Sequence, residues 1–141
     1  MCIRDSSNTT DFTATSNVTV TGGTFGTQID FDGGTNISGG TFGTNSNINS
    51  TATDGSGGNV VISGGTFVGA PTNGNSTLDI FAPTTVTGGQ FNNSVDFEVG
   101  SAGSVINGGT FGNNTDFFDD IVINGGTFGT NQDIGLSLIH I

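Results

Sequence analysis

The chain has almost no positive charge. One Lys or Arg and one His stand against twelve acids, for a net charge of −11, and 141 residues hold no Trp, no Tyr, one Cys, one Met and two Pro. Each lack excludes something. Nucleic acid is bound by neutralising phosphates with Lys and Arg, so no nucleic-acid partner is expected. The same lack argues against anionic membrane surfaces. A single Cys, Cys2, forms no disulfide within the chain and reveals no redox compartment. Helix formers are scarce: between residues 7 and 135, Leu78 is the only Leu and Glu98 the only Glu, so no helices are expected. No apolar run approaches the ~20 residues of a membrane helix, and no membrane contact by this segment is expected.

The two ends are read apart from the rest. Met1-Cys2-Ile3-Arg4-Asp5-Ser6 is encoded by ATG TGT ATA AGA GAC AG under one permitted codon choice. Its reverse complement translates as Leu-Ser-Leu-Ile-His-Ile, which is residues 136–141. The pair resembles the two strands of a sequencing adapter, so residues 1–6 and 136–141 are expected to be adapter-derived. Residues 7–135 then form a single domain, expected to be a fragment of a larger protein. The only Met, Cys, Arg and His all fall in those ends, and eleven of the twelve acids remain between them.

What the chain does have is Gly (26), Phe (12), Asn and Thr, set at fixed intervals. A glycine pair recurs at Gly22-Gly23, Gly39-Gly40, Gly64-Gly65, Gly88-Gly89, Gly108-Gly109 and Gly125-Gly126, with spacings of 17, 25, 24, 20 and 17. Two residues after each pair comes Phe25, Phe42, Phe67, Phe91, Phe111 or Phe128; two before it comes Val20, Ile37, Ile62, Val86, Ile106 or Ile123. Five residues beyond Phe stands Asp30, Asn47, Asp96, Asp116 or Asp133, each followed by Phe or Ile; after Phe67 an insertion of seven residues delays the same pair to Asp79-Ile80. Asp11-Phe12 reads as the remnant of a preceding repeat. The consensus is apolar-x-apolar-(Thr/Ser/Asn)-Gly-Gly-Thr-Phe-Gly-(Thr/Asn)-x-x-Asp-apolar.

Repeats of unequal length decide the architecture. A helical repeat loses its phase when three, seven or eight residues are added, whereas a β-solenoid lets the insertion bulge at a corner while its strands stay stacked. Fold class is therefore all-β, a parallel β-helix of about six rungs of 17–25 residues. Each rung is expected to contribute three short strands: before the glycines, at Thr-Phe, and around the Asp. Rungs ~4.8 Å apart would stack like on like. A β-propeller needs about 40 residues per blade, twice what a rung supplies. The Gly-Gly-Thr-Phe-Gly rungs resemble the right-handed parallel β-helix (pectin-lyase-like) superfamily of bacterial surface adhesins, autotransporter-type passenger domains and phage tail spikes, over residues 11–134. Right-handedness is implied by that resemblance alone.

The Asp positions are the sharpest chemical feature. Asp30, Asp79, Asp96, Asp116 and Asp133, with Asn47 among them, should form one outward column, because the flanking apolar residues face in. Stacked carboxylates repel. The relief is either a hard cation such as Ca²⁺ or solvation with local hydrogen bonds from Asn, Thr and backbone amides. The chain lacks the Gly-Gly-x-Gly-x-Asp nonapeptide of calcium-binding β-rolls. Pectate lyases of the resembled superfamily use a basic proton acceptor, which residues 7–135 do not contain. Acid-only glycoside hydrolysis needs paired carboxylates. The one dense cluster, Asp119-Asp120 near Asp116, is not a pair if adjacent residues point to opposite faces. Thr24, Thr41, Thr66, Gln90, Thr110 and Thr127 form a second outward column, which an ice-binding surface would need unbroken. The expectation is a non-enzymatic structural or adhesive segment of a larger bacterial or phage surface protein, extracellular or on the virion. Its partners would be carbohydrate or a host surface, and the adjoining rungs of the parent chain. The alternatives are a non-catalytic part of a carbohydrate-active β-helix, or a carbohydrate- or ice-binding solenoid.

Overall fold

The computed structural model describes residues 10–12, 18–31, 34–48, 60–68, 78–98 and 101–134, and of 10–12 the backbone only. The two ends read as adapter-derived, and most of the insertion after Phe67, lie outside the described residues. The strands in chain order are β1 (Thr10–Phe12), β2 (Val18–Val20), β3 (Ile29–Phe31), β4 (Thr35–Ile37), β5 (Thr41–Phe42), β6 (Ser46–Ile48), β7 (Val60–Ile62) and β8 (Thr66–Phe67). There follow β9 (Leu78–Ile80), β10 (Thr84–Val86), β11 (Gln90–Phe97), β12 (Ser104–Ile106), β13 (Thr110–Phe117), β14 (Ile121–Ile123), β15 (Thr127–Phe128) and β16 (Asp133–Ile134). The chain is an all-β solenoid of about five turns with no helix among the described residues.

Every rung repeats the same path. The segment before the glycines lies in a six-stranded parallel sheet, β2-β4-β7-β10-β12-β14. The Thr-Phe and Asp segments share a ten-stranded sheet, in which β11 and β13 run through both segments as single eight-residue strands. Pairing is parallel and in the register of the repeat: Phe42 stands on Phe67, Phe91 on Phe111, Ile37 on Ile62. The backbone of β1 pairs with β3, Asp11 opposite Asp30, so the partial repeat at Asp11-Phe12 belongs to the solenoid.

The core is three apolar ladders. Phe25, Phe42, Phe67, Phe91, Phe111 and Phe128 stack face to face, with successive centroids 4.9, 4.8, 4.9, 4.6 and 4.8 Å apart. The first five are buried; Phe128, in the last repeat, is only partly so. Val20, Ile37, Ile62, Val86 and Ile106 form the second ladder, and Phe31, Ile48, Ile80, Phe97 and Phe117 the third. A single rung could bury none of these faces, so the stack itself is the source of the core.

Two glycines per corner serve different needs. The second has positive φ in all six rungs, for example +106° at Gly89, where the chain turns from one sheet to the next and a Cβ would be strained. The first, in every pair but Gly22-Gly23, has no room for a side chain. A Cβ on Gly88 would lie 2.5 Å from the carbonyl oxygen of Ser63 in the rung below. At the next corner the third residue after Phe takes the left-handed conformation: Gln28, Asn45, Ser94, Asn114 and Asn131 have φ of 49–60°. Asn tolerates this region better than most residues, and it fills three of the five positions.

The consensus needs one correction. The first of its two apolar positions is Thr35, Thr84 or Ser104 in three rungs, and all three are buried. For Thr84 and Ser104 the polarity is absorbed locally: Thr84 donates its hydroxyl to Ala82 O (2.8 Å), and Ser104 Oγ both donates to Ser101 O (2.6 Å) and accepts the Thr84 N–H (2.9 Å). Thr115 is different. It is fully buried in the position taken by Val95 one rung below, and its Oγ1 has no hydrogen-bond partner among the described residues. Thr115→Val keeps the shape and removes that hydroxyl. It should raise the free energy of unfolding by about 1–2 kcal/mol, seen as a higher urea midpoint at unchanged slope. A lower midpoint would mean that an ordered water holds the hydroxyl.

Candidate functional site

The Asp column stands on the outer face of the third strand of each rung. Ile29 and Phe31, Leu78 and Ile80, and Val95 and Phe97 are buried on either side of Asp30, Asp79 and Asp96, so period-2 alternation turns the carboxylates outward. Register confirms one line: Asp30 opposite Asn47, Asn47 opposite Asp79, Asp79 opposite Asp96, Asp96 opposite Asp116, Asp116 opposite Asp133. Asp133 is exposed and the others are half-buried.

The column handles its charge in three different ways. At one end Asn47 donates Nδ2–H to Asp30 Oδ1 at 2.8 Å. At the other, Asp116 Oδ1 accepts the backbone N–H of Asp133 at 3.2 Å. In the middle, Asp79 and Asp96 are joined by Glu98, with carboxylate oxygens of all three within 4.8 Å of one another. Two unit charges at that distance repel by about 1 kcal/mol in water and about 3–4 kcal/mol at an effective dielectric of 20. Among the described residues this is the only such trio.

A hard cation fits this trio in donor type, since all three residues offer carboxylate oxygen. Three carboxylates leave most of the six to eight oxygens of Ca²⁺ to water unless each binds through both atoms. Of the five aspartates expected to line a Ca²⁺ column, Asp79 and Asp96 lie in the trio, and Asp30, Asp116 and Asp133 lie outside it.

Glu98 was not among the expected residues, nor were Phe81 and Phe118. All three follow the Asp-apolar pair directly, and the backbone places them in one line. Glu98 N–H donates to Ile80 O and Phe118 N–H to Phe97 O, each at 2.9 Å. Phe81 is 38% exposed and Phe118 46% exposed. The sequence signal was there: ten of the twelve Phe fall on repeat positions, and these are the two that do not.

The other candidates are less developed. Asp119 and Asp120 lie at the corner between β13 and β14 rather than in a strand, and Asp120 donates its backbone N–H to Asp119 Oδ1 at 2.9 Å. The Thr column is interrupted at Gln90, whose Nε2 donates to Asn92 Oδ1 at 3.1 Å. Compared with family models, curated proteins and solved structures, the chain matches none.

The column makes stability depend on ions. Screening salt should raise the melting temperature, with NaCl and CaCl₂ acting alike at matched ionic strength. A rise specific to Ca²⁺ that disappears in Asp96→Asn would instead assign a metal to the trio. Asn47→Asp replaces a hydrogen bond to Asp30 with a like charge. It should destabilise by on the order of 1 kcal/mol, less in high salt.

Proposed function

We propose that this chain is a structural and adhesive segment of a larger extracellular protein of a bacterial surface or a phage, with no catalytic chemistry of its own. The observation that carries the reading is the uninterrupted stack. Repeats of 17–25 residues keep their strand segments in parallel register, and the length differences fall in the connections between strands. Such a build favours a rod that presents its outer faces over a length, with each rung stabilised by its neighbours. The composition agrees: a chain of net charge −11 with one Arg against twelve acids is kept soluble by its charge and repels its own kind. The likeness of the Gly-Gly-Thr-Phe-Gly rungs to pectin-lyase-like β-helices supports the same reading and gives its finer form, an adhesin or tail-spike rod.

The test is the complete gene and the location of its product. A membrane-barrel or sorting signal downstream, together with protease-accessible rungs on intact cells, is the expected result for an adhesin, and a tail-fibre neighbourhood is the expected result for a phage protein. Flanking rungs with paired acids along one groove, and release of reducing ends from a polysaccharide, would replace this reading with a carbohydrate-active enzyme.

A further inference from the structure

We infer that Asn107 is a site of spontaneous covalent modification, its side-chain amide set by the neighbouring rung to cyclise onto the Gly108 nitrogen with loss of ammonia. Asparagine is a chemically labile residue, most of all before glycine, which has no Cβ to hinder ring closure. The chain has three Asn-Gly pairs. Asn73-Gly74 lies outside the described residues; Asn107-Gly108 and Asn124-Gly125 follow the paired strands β12 and β14 at the same corner of successive rungs. Both sit within the same eight residues, Val-Ile-Asn-Gly-Gly-Thr-Phe-Gly, so a difference in their reactivity comes from the fold. The inference is independent of what the parent protein does.

The fold treats the two sites differently. Both asparagines are exposed, so either could release ammonia to solvent. Asn124 Nδ2–H donates to Asn107 Oδ1 at 2.9 Å, and among the described residues no donor reaches Asn124 Oδ1 in return. Gly125 N–H is tied to Ile106 O at 3.2 Å, whereas Gly108 N–H makes no hydrogen bond among the described residues. Asn107 therefore has a free nucleophile and a polarised carbonyl; Asn124 has neither. In the reaction Gly108 N gives its proton to solvent base, bonds to Asn107 Cγ and closes a five-membered ring. Negative charge develops on Oδ1, where the Asn124 amide stabilises it. The Cγ–Nδ2 bond then breaks, and Nδ2 takes a proton from solvent and leaves as ammonia. Water opens the ring at either carbonyl, giving aspartate or isoaspartate; in the latter the backbone runs through the side chain and is one carbon longer. The corner has no space for that carbon, since even a Cβ on Gly108 would lie 2.7 Å from Thr87 O.

The test holds the whole chain at mildly alkaline pH, folded and in urea, and follows each site by peptide mapping with mass spectrometry and isoaspartate-specific methylation. In the folded chain Asn107 should react at least threefold faster than Asn124; in urea the two should react alike. Asn124→Ser removes the amide donor at a position that accepts serine, because Ser38 and Ser63 hold it in earlier rungs with a hydroxyl bond to the carbonyl of the rung below. It should slow Asn107 at least threefold. Asn124→Asp, which sets a negative charge beside the developing one, should slow it more, and it covers the case of a misfolded serine variant, which a missing urea transition would reveal. An Asn107 rate unchanged or raised in a folded variant would overturn the inference. So would a faster Asn124, which would make fraying of the last rung the controlling event. The isolated isoaspartyl product should unfold at lower urea than the parent chain; an equal midpoint would overturn the consequence drawn for the corner.

Discussion

Phe42→Ala is expected to lower the free energy of unfolding by about 3–5 kcal/mol, the range for large-to-small changes at a fully buried aromatic. Phe42 has no exposed surface, lies face to face with Phe25 at 4.9 Å and Phe67 at 4.8 Å, and meets Phe31 edge-on at 6.0 Å. Its loss opens a gap that the stack cannot close. The rise between rungs is held on both sides by backbone bonds: Phe25 N–H to Thr41 O (2.9 Å), Thr66 N–H to Gly40 O (2.8 Å) and Val68 N–H to Phe42 O (2.9 Å). Phe128→Ala gives the comparison, because Phe128 is partly exposed and stacks face to face only on Phe111. Its effect should be less than half as large in the same urea titration. Equal effects would show that stability is not carried ring on ring. A fall in the denaturant slope with Phe42→Ala would show the solenoid separating into two halves at that rung.

Columns are legible in a sequence when like residues stack on like. The Phe ladder, the Val/Ile ladder and the Asp line each recur at a constant offset from the glycine pair, so one register assignment placed all three. Features that depend on a neighbouring rung without recurring were not legible. Glu98 has no equivalent in the other rungs, and its partners Asp79 and Asp96 are brought to it by stacking. Asn47 read as a break in the acid line; in the structure its amide is the donor that satisfies Asp30. Thr84 and Ser104 broke the apolar pattern, because a buried hydroxyl can be satisfied by a carbonyl two or three residues away in its own turn. The left-handed corner at Gln28, Asn45, Ser94, Asn114 and Asn131 was hidden by its mixed composition.

The glycine pair was legible as a corner, but only half of its reason was. Positive φ explains Gly89; it does not explain Gly88, which has room for no side chain instead. Three alanine substitutions separate the two causes. Gly88→Ala should be the most damaging, at about 3 kcal/mol, the upper end for an overpacked site. Its Cβ would meet the Ser63 carbonyl at 2.5 Å. Neither side can yield, because Thr87 N–H to Ile62 O and Gln90 N–H to Gly65 O, both 2.9 Å, pin the chain on each side of the clash. Gly103→Ala tests conformation alone, since Gly103 has φ of +83° and nothing within 4 Å of a Cβ; about 1–2 kcal/mol is expected. Gly22→Ala has open space and no positive φ, so it should stay within about 0.5 kcal/mol of the parent chain. Chemical denaturation of the three variants ranks them. If Gly103→Ala proved as damaging as Gly88→Ala, the corner would be governed by backbone conformation alone. The recurrence of the first glycine would then have nothing to do with how closely one rung sits on the next.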